Sequence, residues 1–390
     1  MQNETTLRYG TNPNQTPARA YVRSGQLPFR VLNGRVGYIN LLDALNSWQL
    51  VRELHQATGL SSAASFKHVS PSGTGLGLPL SEPLRKAYRV EDLELSPVAA
   101  AYARARGADR VCSFGDWVAV SEVVDVPLAR LLKREVSDGI IAPGYETEAL
   151  STLSRKKEVA YVVLEMDPDY EPPPIQIRDV FGVTLEEKRN DVRLDQSVLQ
   201  HVVTKNVDFT EEARRDALVA MITLKYTQSN SVCVAADGQS IGVGAGQQSR
   251  IHCTRIACDK ADLWRLRQHP VVADLPFQPG SHRPELDNGV DLYLRDDGTR
   301  TEKEQWATLF DQAPARLTHE QKREWLAGFD SAVLSSDGYI PFRDSIDRAA
   351  QSGVRWVVQP GGSHRDVEVI TACNEYGMAM VINGIRLFHH

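Results

Sequence analysis

The chain has 390 residues, 42% of them hydrophobic and 24% charged, a composition that predicts a globular protein of two or three domains. Its net charge of −6 argues against general nucleic-acid binding, because phosphate backbones require a basic face, although local Arg and Lys clusters can still bind anionic small molecules. No run approaches the ~18 apolar residues of a membrane helix, and the polar start "MQNETTLRYG" is unlike a signal peptide. The five cysteines are scattered, which fits reduced thiols, so we expect a cytoplasmic protein.

The first elements are a helix and a strand. Residues 38–57 predict a helix because apolar residues recur at helical spacing, and Asn40 is its expected N-cap. The run "AASFKHV", residues 63–69, predicts a strand, which we expect to stop at Pro71 and Gly73.

The following segments continue the alternation of helices and strands. Residues 84–120 and 127–145 each contain a helical pattern followed by a β-branched run. This order predicts an α/β layered domain with a largely buried sheet. The proline-rich residues 167–179 are typical of a linker or of an extended edge segment.

The second half begins with a helix and a hairpin. Residues 210–226 predict a helix with Thr210 as its N-cap, and Asp237-Gly238 between two apolar runs is a strong hairpin signal. The basic residues 247–270 predict another helix, whereas the polar residues 276–304 give no clear pattern.

Two segments share one order of features. Residues 113–145 and 334–363 each contain a strand, a Gly and Asp with an aromatic residue, a helix, a second strand and Pro-Gly. This order suggests two similar α/β subdomains rather than a solenoid.

Most standard motifs are missing. The sequence has no G-x-x-x-x-G-K-[ST] and no G-x-S-x-G, and "GVGAGQ" does not lie in a Rossmann βαβ pattern. His252, Cys253 and Cys258 are close in sequence, but no second pair completes a zinc set. A structural role for these three residues is therefore favoured over a metal site.

Two short stretches allow a functional or a structural interpretation. In "LKYTQSNSV", Thr227, Ser229 and Ser231 would share one face of an extended segment, either as a polar strand edge or as ligands of a monovalent or hard cation. In "SFKHVSPSGTGLG", Lys67 and His68 are either a surface charge and a core histidine or a catalytic cation and base. Spacing alone leaves both alternatives open.

Seven stretches are similar to one enzyme family. They span residues 7–390 and are "LRYGTNPNQ", "YINLLDALNSWQLV", "SFKHVSPSGTGLG", "SDGIIAPGY", "LKYTQSNSVCVAADGQSIGVGAGQQSRIHCTRIACDKAD", "SDGYIPFRDSIDRA" and "RLFHH". Together they resemble the transformylase half of the bifunctional purine-biosynthesis enzymes. Those enzymes combine 5-aminoimidazole-4-carboxamide ribonucleotide (AICAR) transformylase with inosine monophosphate (IMP) cyclohydrolase.

The resemblance implies transfer of a formyl group from 10-formyltetrahydrofolate to the 5-amino group of AICAR in de novo IMP biosynthesis. That amine is conjugated with the imidazole carboxamide, so it is a poor nucleophile that needs a general base. By resemblance, His68 is this base, and Lys67 stabilises the oxyanion and helps protonate the departing folate nitrogen. Asn230 is implied to orient the reacting groups.

The resemblance also implies the binding residues. Nucleotide contacts are implied at Arg8, Tyr9, Gly115, Asp138, Arg250, Tyr339, Phe342 and Arg386, and folate contacts at Ile251, Asp344 and Ser345. A structural potassium site is implied at Leu224, Thr227, Ser229, Ser231, Asp337 and Leu387, with the two leucines acting through their carbonyls. At "YTQSNS" the resemblance therefore favours the cation over the polar strand edge. No zinc is expected.

The implied fold is α/β, with two cytidine-deaminase-like subdomains related by duplication and a smaller helical piece between them. We place the first subdomain at 1–178, the small helical and hairpin piece at 179–271 and the second subdomain at 272–390. The family implies a homodimer with active sites at the subunit interface. It also implies that the C-terminal tail and the "YTQSNS" segment meet in space.

Three features depart from the family pattern. Met1 lies six residues before the match, so we expect no cyclohydrolase activity, and a separate cyclohydrolase is a possible partner. Ser345 stands where Asn is usual, and Asn14 where His is common. Two alternatives therefore stay open: a paralogue that uses the same folate donor with another acceptor, or a non-catalytic nucleotide- or folate-binding regulator. We expect no nucleic-acid or membrane partner.

Overall fold

The fold is an α/β structure of three layers around one large mixed sheet. The computed structural model describes residues 3–157 and 160–390, which contain fifteen strands, eleven of them in this sheet and four in two separate two-stranded pairs. The strands are β1 (Glu4–Leu7), β2 (Ala18–Tyr21), β3 (Phe29–Asn33), β4 (Ser62–Lys67), β5 (Ser70–Leu76), β6 (Asp116–Val120), β7 (Ser137–Ala142), β8 (Val162–Met166), β9 (Ile175–Val180), β10 (Val183–Lys188), β11 (Val232–Ala236), β12 (Gln239–Gly244), β13 (Ala332–Ser336), β14 (Val354–Gln359) and β15 (Ala379–Ile382). The helices are α1 (Tyr38–Thr58), α2 (Glu82–Tyr88), α3 (Pro97–Gly107), α4 (Val126–Arg134), α5 (Thr147–Ser154), α6 (Glu211–Lys225), α7 (Arg250–Leu266), α8 (Pro270–Ala273), α9 (Arg283–Leu294), α10 (Arg300–Ala307), α11 (His319–Ala327), α12 (Asp344–Gln351) and α13 (Asp366–Glu375).

The strand order of the sheet is almost symmetric about its centre. The order is β15-β14-β13-β11-β12-β5-β4-β6-β7-β8-β3. The antiparallel hairpins β4–β5 and β11–β12 meet where β5 pairs with β12. Parallel strands follow on either side, β6, β7 and β8 beyond the first hairpin and β13, β14 and β15 beyond the second. Among the described strands of this sheet, only β3 at one edge has no counterpart in this order.

Helices cover both faces of the sheet, so its strands are buried as the sequence predicts. Helices α1 and α6 contact each other on one face, and α3 and α7 pack on the opposite face. The alternation of strand residues produces these two cores. Ala63, for example, belongs to the α3 and α7 side, and Ala64 to the α1 and α6 side.

The first predicted elements are present with two corrections. Helix α1 begins after Gly37, which is the N-cap, so the expectation that Asn40 caps it is wrong. The predicted strand does not stop at Pro71 and Gly73, because the chain turns earlier and both residues lie within β5. A Cβ at Gly73 would lie 2.0 Å from the Ala105 carbonyl oxygen, so this glycine allows α3 to pack directly on the strand.

The predicted elements of the second half are confirmed. Helix α6 has Thr210 as its N-cap, with the side chain accepting from the Ala213 amide, and Asp237-Gly238 joins β11 to β12. The basic segment forms α7. The polar residues 276–304, which gave no clear pattern, contain α9 and the start of α10.

The two segments with the same order of features are both parallel strand-helix-strand units. One consists of β6, α4 and β7, and the other of β13, α12 and β14. Duplication and the boundaries 1–178, 179–271 and 272–390 stay predictions. Helices α8 to α11 lie between the second hairpin and β13, and residues from this region form a small core of their own.

One hairpin projects from the rest of the structure. The proline-rich residues 167–179 lead into the pair β9–β10, whose twelve strand residues are all exposed. Phe181 at its tip is fully exposed, and Val183 and Leu185 are more than half exposed. In residues 3–157 and 160–390, no helix combines the length and apolar character that crossing a membrane requires.

Candidate functional site

The candidate catalytic pair lies at the turn between β4 and β5. Lys67 ends β4 and pairs with Ser70, so His68 and Val69 form a two-residue hairpin turn. Both turn residues have positive φ, 54° at His68 and 62° at Val69. Turns of this kind favour Asn-Gly or Asp-Gly, and His-Val is an unfavourable sequence for them. His68 is exposed and lies outside the alternation of the strand.

The Lys67 ammonium reaches the loop that precedes β6. Its Nζ donates to the Phe114 carbonyl oxygen at 2.5 Å and lies 5.9 Å from the centroid of the Phe114 ring. The lysine is therefore held beside Gly115, the next residue of that loop.

A buried carboxylate on α1 supports the turn. Asp43 is 5% exposed, and its Oδ1 accepts a hydrogen bond from the Val69 amide at 2.7 Å. Burial raises the pKa of Asp43 from 3.8 to about 6, against the smaller lowering effects of the Val69 amide and the His68 charge. The charge of Asp138 raises this pKa further. Asp43 is thus within electrostatic reach of both His68 and Asp138.

Gly115 and Asp138 lie at the starts of β6 and β7. Gly115 has a φ of 74°, which favours glycine, and its amide donates to the Val136 carbonyl at 3.0 Å. A Cβ at Gly115 would lie 4.0 Å from the Asp138 carboxylate, to which Lys157 Nζ donates at 2.6 Å. We refer to Lys67, His68, Gly115 and Asp138 as the turn cluster.

Asn230 precedes β11 at the same end of the sheet. Its Nδ2 donates to the Gln247 carbonyl at 3.0 Å, and its Oδ1 accepts from Arg250 Nη2 at 3.0 Å. The buried Arg250 also donates from Nη1 to Asp337 Oδ1 at 2.5 Å and to the Ser231 carbonyl at 2.6 Å. Arg250 therefore ties Asn230 to Asp337, and we refer to these three residues as the Asn230 cluster.

The C-terminal tail packs against the Asn230 cluster. The Leu387 amide donates to the Asp337 carbonyl at 2.9 Å. The Ser229 amide donates to the His389 carbonyl at 2.9 Å, and the His389 amide donates to Ser229 Oγ at 3.1 Å. The tail and the "YTQSNS" segment are thus in contact, as the resemblance implied, and the exposed Arg386 lies in this tail.

The residues implied as potassium ligands converge without forming a strand. The chain between α6 and β11 is irregular, so Thr227, Ser229 and Ser231 do not share the face of an extended segment. The Thr227 amide donates to the Leu224 carbonyl at 3.0 Å, and Ser229 Oγ donates to Asp337 Oδ2 at 2.5 Å. Ser231 Oγ is buried without a hydrogen-bond partner among the described residues. An orphaned hydroxyl beside carbonyl and carboxylate oxygens fits a hard or monovalent cation.

The other implied nucleotide contacts are partly or largely exposed residues. Arg8 is exposed after β1, with its guanidinium carbon 5.5 Å from the centroid of the Tyr9 ring. Tyr339 and Phe342, between β13 and α12, are about half exposed. No hydrogen bond or ion pair joins these four side chains to either cluster in the part of the chain that the structure describes.

The implied folate contacts lie at the starts of two helices. Ile251 is the second residue of α7, beside Arg250. Asp344 is exposed at the start of α12, and the next residue, Ser345, is buried with its hydroxyl 3.4 Å from the Asp344 carboxylate. The described residues include no group of three or more His, Cys, Asp or Glu side chains placed to hold a metal ion.

The turn cluster and the Asn230 cluster share one end of the sheet but are not adjacent. Strands β5 and β12 lie between β4 and β11, so a distance of two intervening strands separates the clusters. No hydrogen bond or ion pair links the two clusters within residues 3–157 and 160–390. Both clusters can act on one substrate only if it spans this distance or if a second subunit brings its own cluster closer.

Sequence reasoning missed Asp43 and Phe114. Asp43 is a charged residue between the buried Leu41 and Ala44 of α1, and a carboxylate within the apolar face of a helix is a usable signal. Phe114 contributes its backbone carbonyl, for which the sequence contains no comparable signal.

Comparisons with known proteins match this chain to one family. A family model described as the AICARFT/IMPCHase bienzyme matches residues 1–260. The chain is 31% identical over 390 residues to the bifunctional purine biosynthesis protein PurH of Roseobacter denitrificans. This alignment covers 99% of the present chain and 60% of the relative. It is 30% identical over 392 residues to the PurH protein of Xylella fastidiosa, with 99% and 58% covered. The chain thus spans about 60% of the length of these relatives.

Proposed function

This chain belongs to the AICARFT/IMPCHase bienzyme family, and from that premise we propose that it transfers the formyl group of 10-formyltetrahydrofolate to the 5-amino group of AICAR. The products are formyl-AICAR and tetrahydrofolate, in a step of de novo purine biosynthesis. The observation that carries this proposal is the β4–β5 turn, which presents Lys67 and the exposed His68 side by side next to Gly115. The chain spans about 60% of the length of its bifunctional relatives, and the proposal is limited to formyl transfer.

The turn cluster suits the chemistry of this transfer. The neutral imidazole of His68 accepts a proton as the AICAR amine attacks the formyl carbon. The Lys67 ammonium stabilises the oxyanion of the tetrahedral intermediate and protonates N10 of the folate as it leaves. A positioned charge of this kind lowers the activation barrier by roughly 3 kcal/mol.

The Asn230 cluster supplies orientation in this proposal. Arg250 donates to the Asn230 amide oxygen, so the amide is fixed and its plane can align the formyl group or the amine. The exposed guanidiniums of Arg8 and Arg386 would hold the nucleotide phosphate, which bidentate guanidinium donors bind well.

The remaining roles concern the two ends of the substrates. Tyr9, Asp138, Tyr339 and Phe342 would line the ribose and the base of the nucleotide. Asp344 would pair with the amino and amide edge of the pterin, with Ile251 and Ser345 beside it. The exposure of Asp344 and the position of Ile251 at the start of α7 support access to a ligand.

A potassium ion is the proposed occupant of the oxygen-rich loop next to Asn230. The orphaned Ser231 hydroxyl supports this assignment, together with the Asp337 carboxylate and the Leu224 and Leu387 carbonyls. Its role would be structural, because it would fix the backbone on either side of Asn230. Replacing potassium with lithium in the buffer should lower the melting temperature, and the same melting temperature in both salts would remove the ion from the proposal.

A homodimer is part of the proposal. The apolar side chains of the β9–β10 hairpin are exposed, and an isolated two-stranded hairpin is marginally stable in water. A partner subunit would cover this surface and could bring its own Asn230 cluster towards the turn cluster. We place the protein in the cytoplasm, where reduced thiols such as its five free cysteines are expected.

The decisive assay supplies both substrates. The protein is incubated with AICAR and 10-formyltetrahydrofolate in potassium buffer, and tetrahydrofolate release is followed. We expect turnover that needs both substrates, and a protein that binds them without turnover would overturn the proposal. Formyl-AICAR supplied alone tests separately whether the protein also forms IMP by ring closure. Turnover with a different amine, but not with AICAR, would favour a paralogue with another acceptor.

A further inference from the structure

The two central hairpins are held by the same device. In the first hairpin the Val69 amide donates to Asp43 Oδ1 at 2.7 Å, and in the second the Gly238 amide donates to Asp216 Oδ1 at 2.8 Å. Each carboxylate is the sixth residue of its helix, α1 or α6, and each is at most 5% exposed. In both hairpins the helix carboxylate therefore accepts a hydrogen bond from the backbone amide of the second turn residue.

The two turns differ in how much they need this acceptor. Gly238 takes its φ of 74° without strain, because glycine has no Cβ. Val69 takes a φ of 62° although its side chain is β-branched, and His68 before it has a φ of 54°. Two consecutive residues with a Cβ in the left-handed region persist only when their surroundings impose that conformation.

The main interaction of the Asp43 carboxylate is its hydrogen bond with the Val69 amide. Within residues 3–157 and 160–390, Asp43 forms no ion pair with Lys or Arg, whereas Asp216 pairs with Arg215 at 2.9 Å. The charged groups close to Asp43 are His68 and Asp138. Burying a carboxylate without a cationic partner costs free energy. We therefore expect Asp43 to have a function under the turn that outweighs this cost.

We propose that Asp43 is a positioning residue that holds the His68–Val69 turn in its left-handed conformation and thereby places His68 and Lys67 for the reaction. The effect of Asp43 on catalysis rests on the proposed function, whereas its effect on the turn does not. Asp43 itself touches neither substrate. The positioning acts through the Val69 amide, and the catalytic roles remain those of His68 and Lys67.

The experiment compares the two carboxylates in the full chain. We expect Asp43→Ala to lower kcat at least 10-fold, and its matched control Asp216→Ala to leave kcat within twofold. Asp43→Asn keeps an oxygen that accepts from the Val69 amide, so kcat should stay within about fivefold of the wild type. In Asp43→Ala/Val69→Gly the turn needs less support, because glycine adopts the left-handed conformation freely, and kcat should recover at least threefold over Asp43→Ala.

A second readout does not depend on turnover. Hydrogen exchange resolved at single amides should show lost protection of the Val69 amide in Asp43→Ala and of the Gly238 amide in Asp216→Ala. Equal loss of kcat in both alanine variants, or no recovery in the folded double variant, would overturn the proposal. Unchanged protection of the Val69 amide in Asp43→Ala would overturn it as well. A wild-type protein without turnover would refute the proposed function instead, and the exchange measurement would still test the positioning.

Discussion

The His68–Val69 turn and the Asp237–Gly238 turn occupy corresponding places in the two halves of the sheet. Each joins two antiparallel strands through two residues of positive φ, and each is held by a buried aspartate. The second turn has the sequence that this geometry favours, and the buried Arg104 further fixes it by donating to the Asp237 carbonyl at 2.6 Å.

The first turn has an unfavourable sequence at the place where chemistry is proposed. Lys67 and His68 stand where the second turn has Ala236 and Asp237, so the first turn gains a cation and a base and loses the glycine. Backbone strain concentrates at functional sites, where the surrounding structure maintains it. The same hairpin geometry therefore contributes to stability in one half of the sheet and holds the residues of the proposed reaction in the other.

The largest expected effect comes from the cation of the first turn. Lys67→Met should lower kcat by a factor of about 100 or more, because the oxyanion loses its positioned positive charge. Lys157→Met, which removes the lysine that pairs with Asp138, is the control and should change kcat much less. Steady-state kinetics with both substrates measures the difference. Equal losses of kcat in the two variants would show that kcat depends on the overall positive charge around the site and not on the position of Lys67 in the turn.

Transferring the strain to the second turn should destabilise the protein. In Gly238→Val, a β-branched residue would have to adopt a φ of 74°, and its Cβ would lie 2.6 Å from the Leu78 side chain. We expect a loss of about 2 kcal/mol in the free energy of unfolding, measured by denaturant titration, with little change in kcat. A variant as stable as the wild type would show that the second turn tolerates strain as well as the first.

The pH dependence of stability should distinguish Asp43 from a neutral residue. The folded state raises the pKa of Asp43 from 3.8 to about 6, mainly by burial, so it binds a proton more tightly than the unfolded chain does. The carboxylate therefore lowers stability progressively as the pH rises from about 4 to about 6. Asp43→Asn should be more stable than the wild type at pH 8, by up to about 3 kcal/mol.

This gain should shrink as the pH falls through 6 and towards 4, and it should vanish below about 4, where Asp43 becomes neutral in the unfolded chain as well. The charges of His68, which lowers the pKa, and of Asp138, which raises it, act on the same carboxyl. Melting temperatures at a series of pH values measure the difference between the two proteins. A difference independent of pH would contradict the raised pKa of Asp43.

The smallest expected effect is the relief of strain in the first turn. Val69→Gly should raise the free energy of unfolding by about 1 kcal/mol, because a left-handed glycine costs little and the gain exceeds the added entropy of the unfolded chain. Thermal unfolding against the wild type gives the sign. A destabilised variant would mean that Val69 contributes more through packing than it costs through its backbone.

The sequence predicted the regular elements well where local rules determine them. Thr210 caps α6 and Asp237-Gly238 forms a turn because these residues favour those conformations on their own. The first turn could not be predicted, since Pro71 and Gly73 are the local stop signals, yet they continue as β5 beneath α3. Tertiary packing overrides the local preference there.

The candidate site shows the same limit. The resemblance pointed to Lys67, His68 and Asn230, but nothing in their spacing indicates that β5 and β12 lie between them. The part played by Asp43 depends on α1 packing against the turn, which is a long-range contact. The Phe114 carbonyl is a backbone group, so the identity of the residue does not indicate its contact with Lys67. Sequence alone therefore indicated the chemical groups, and the fold was needed to show what holds them.

The most direct test of the central claim is the turnover of His68→Ala beside that of Asp237→Ala, with AICAR and 10-formyltetrahydrofolate as substrates and AICAR binding measured by calorimetry. We predict that His68→Ala loses turnover by at least about 100-fold while AICAR still binds, because the general base is removed. Asp237→Ala should keep both. Full turnover in His68→Ala would contradict the assignment of the first turn as the catalytic centre.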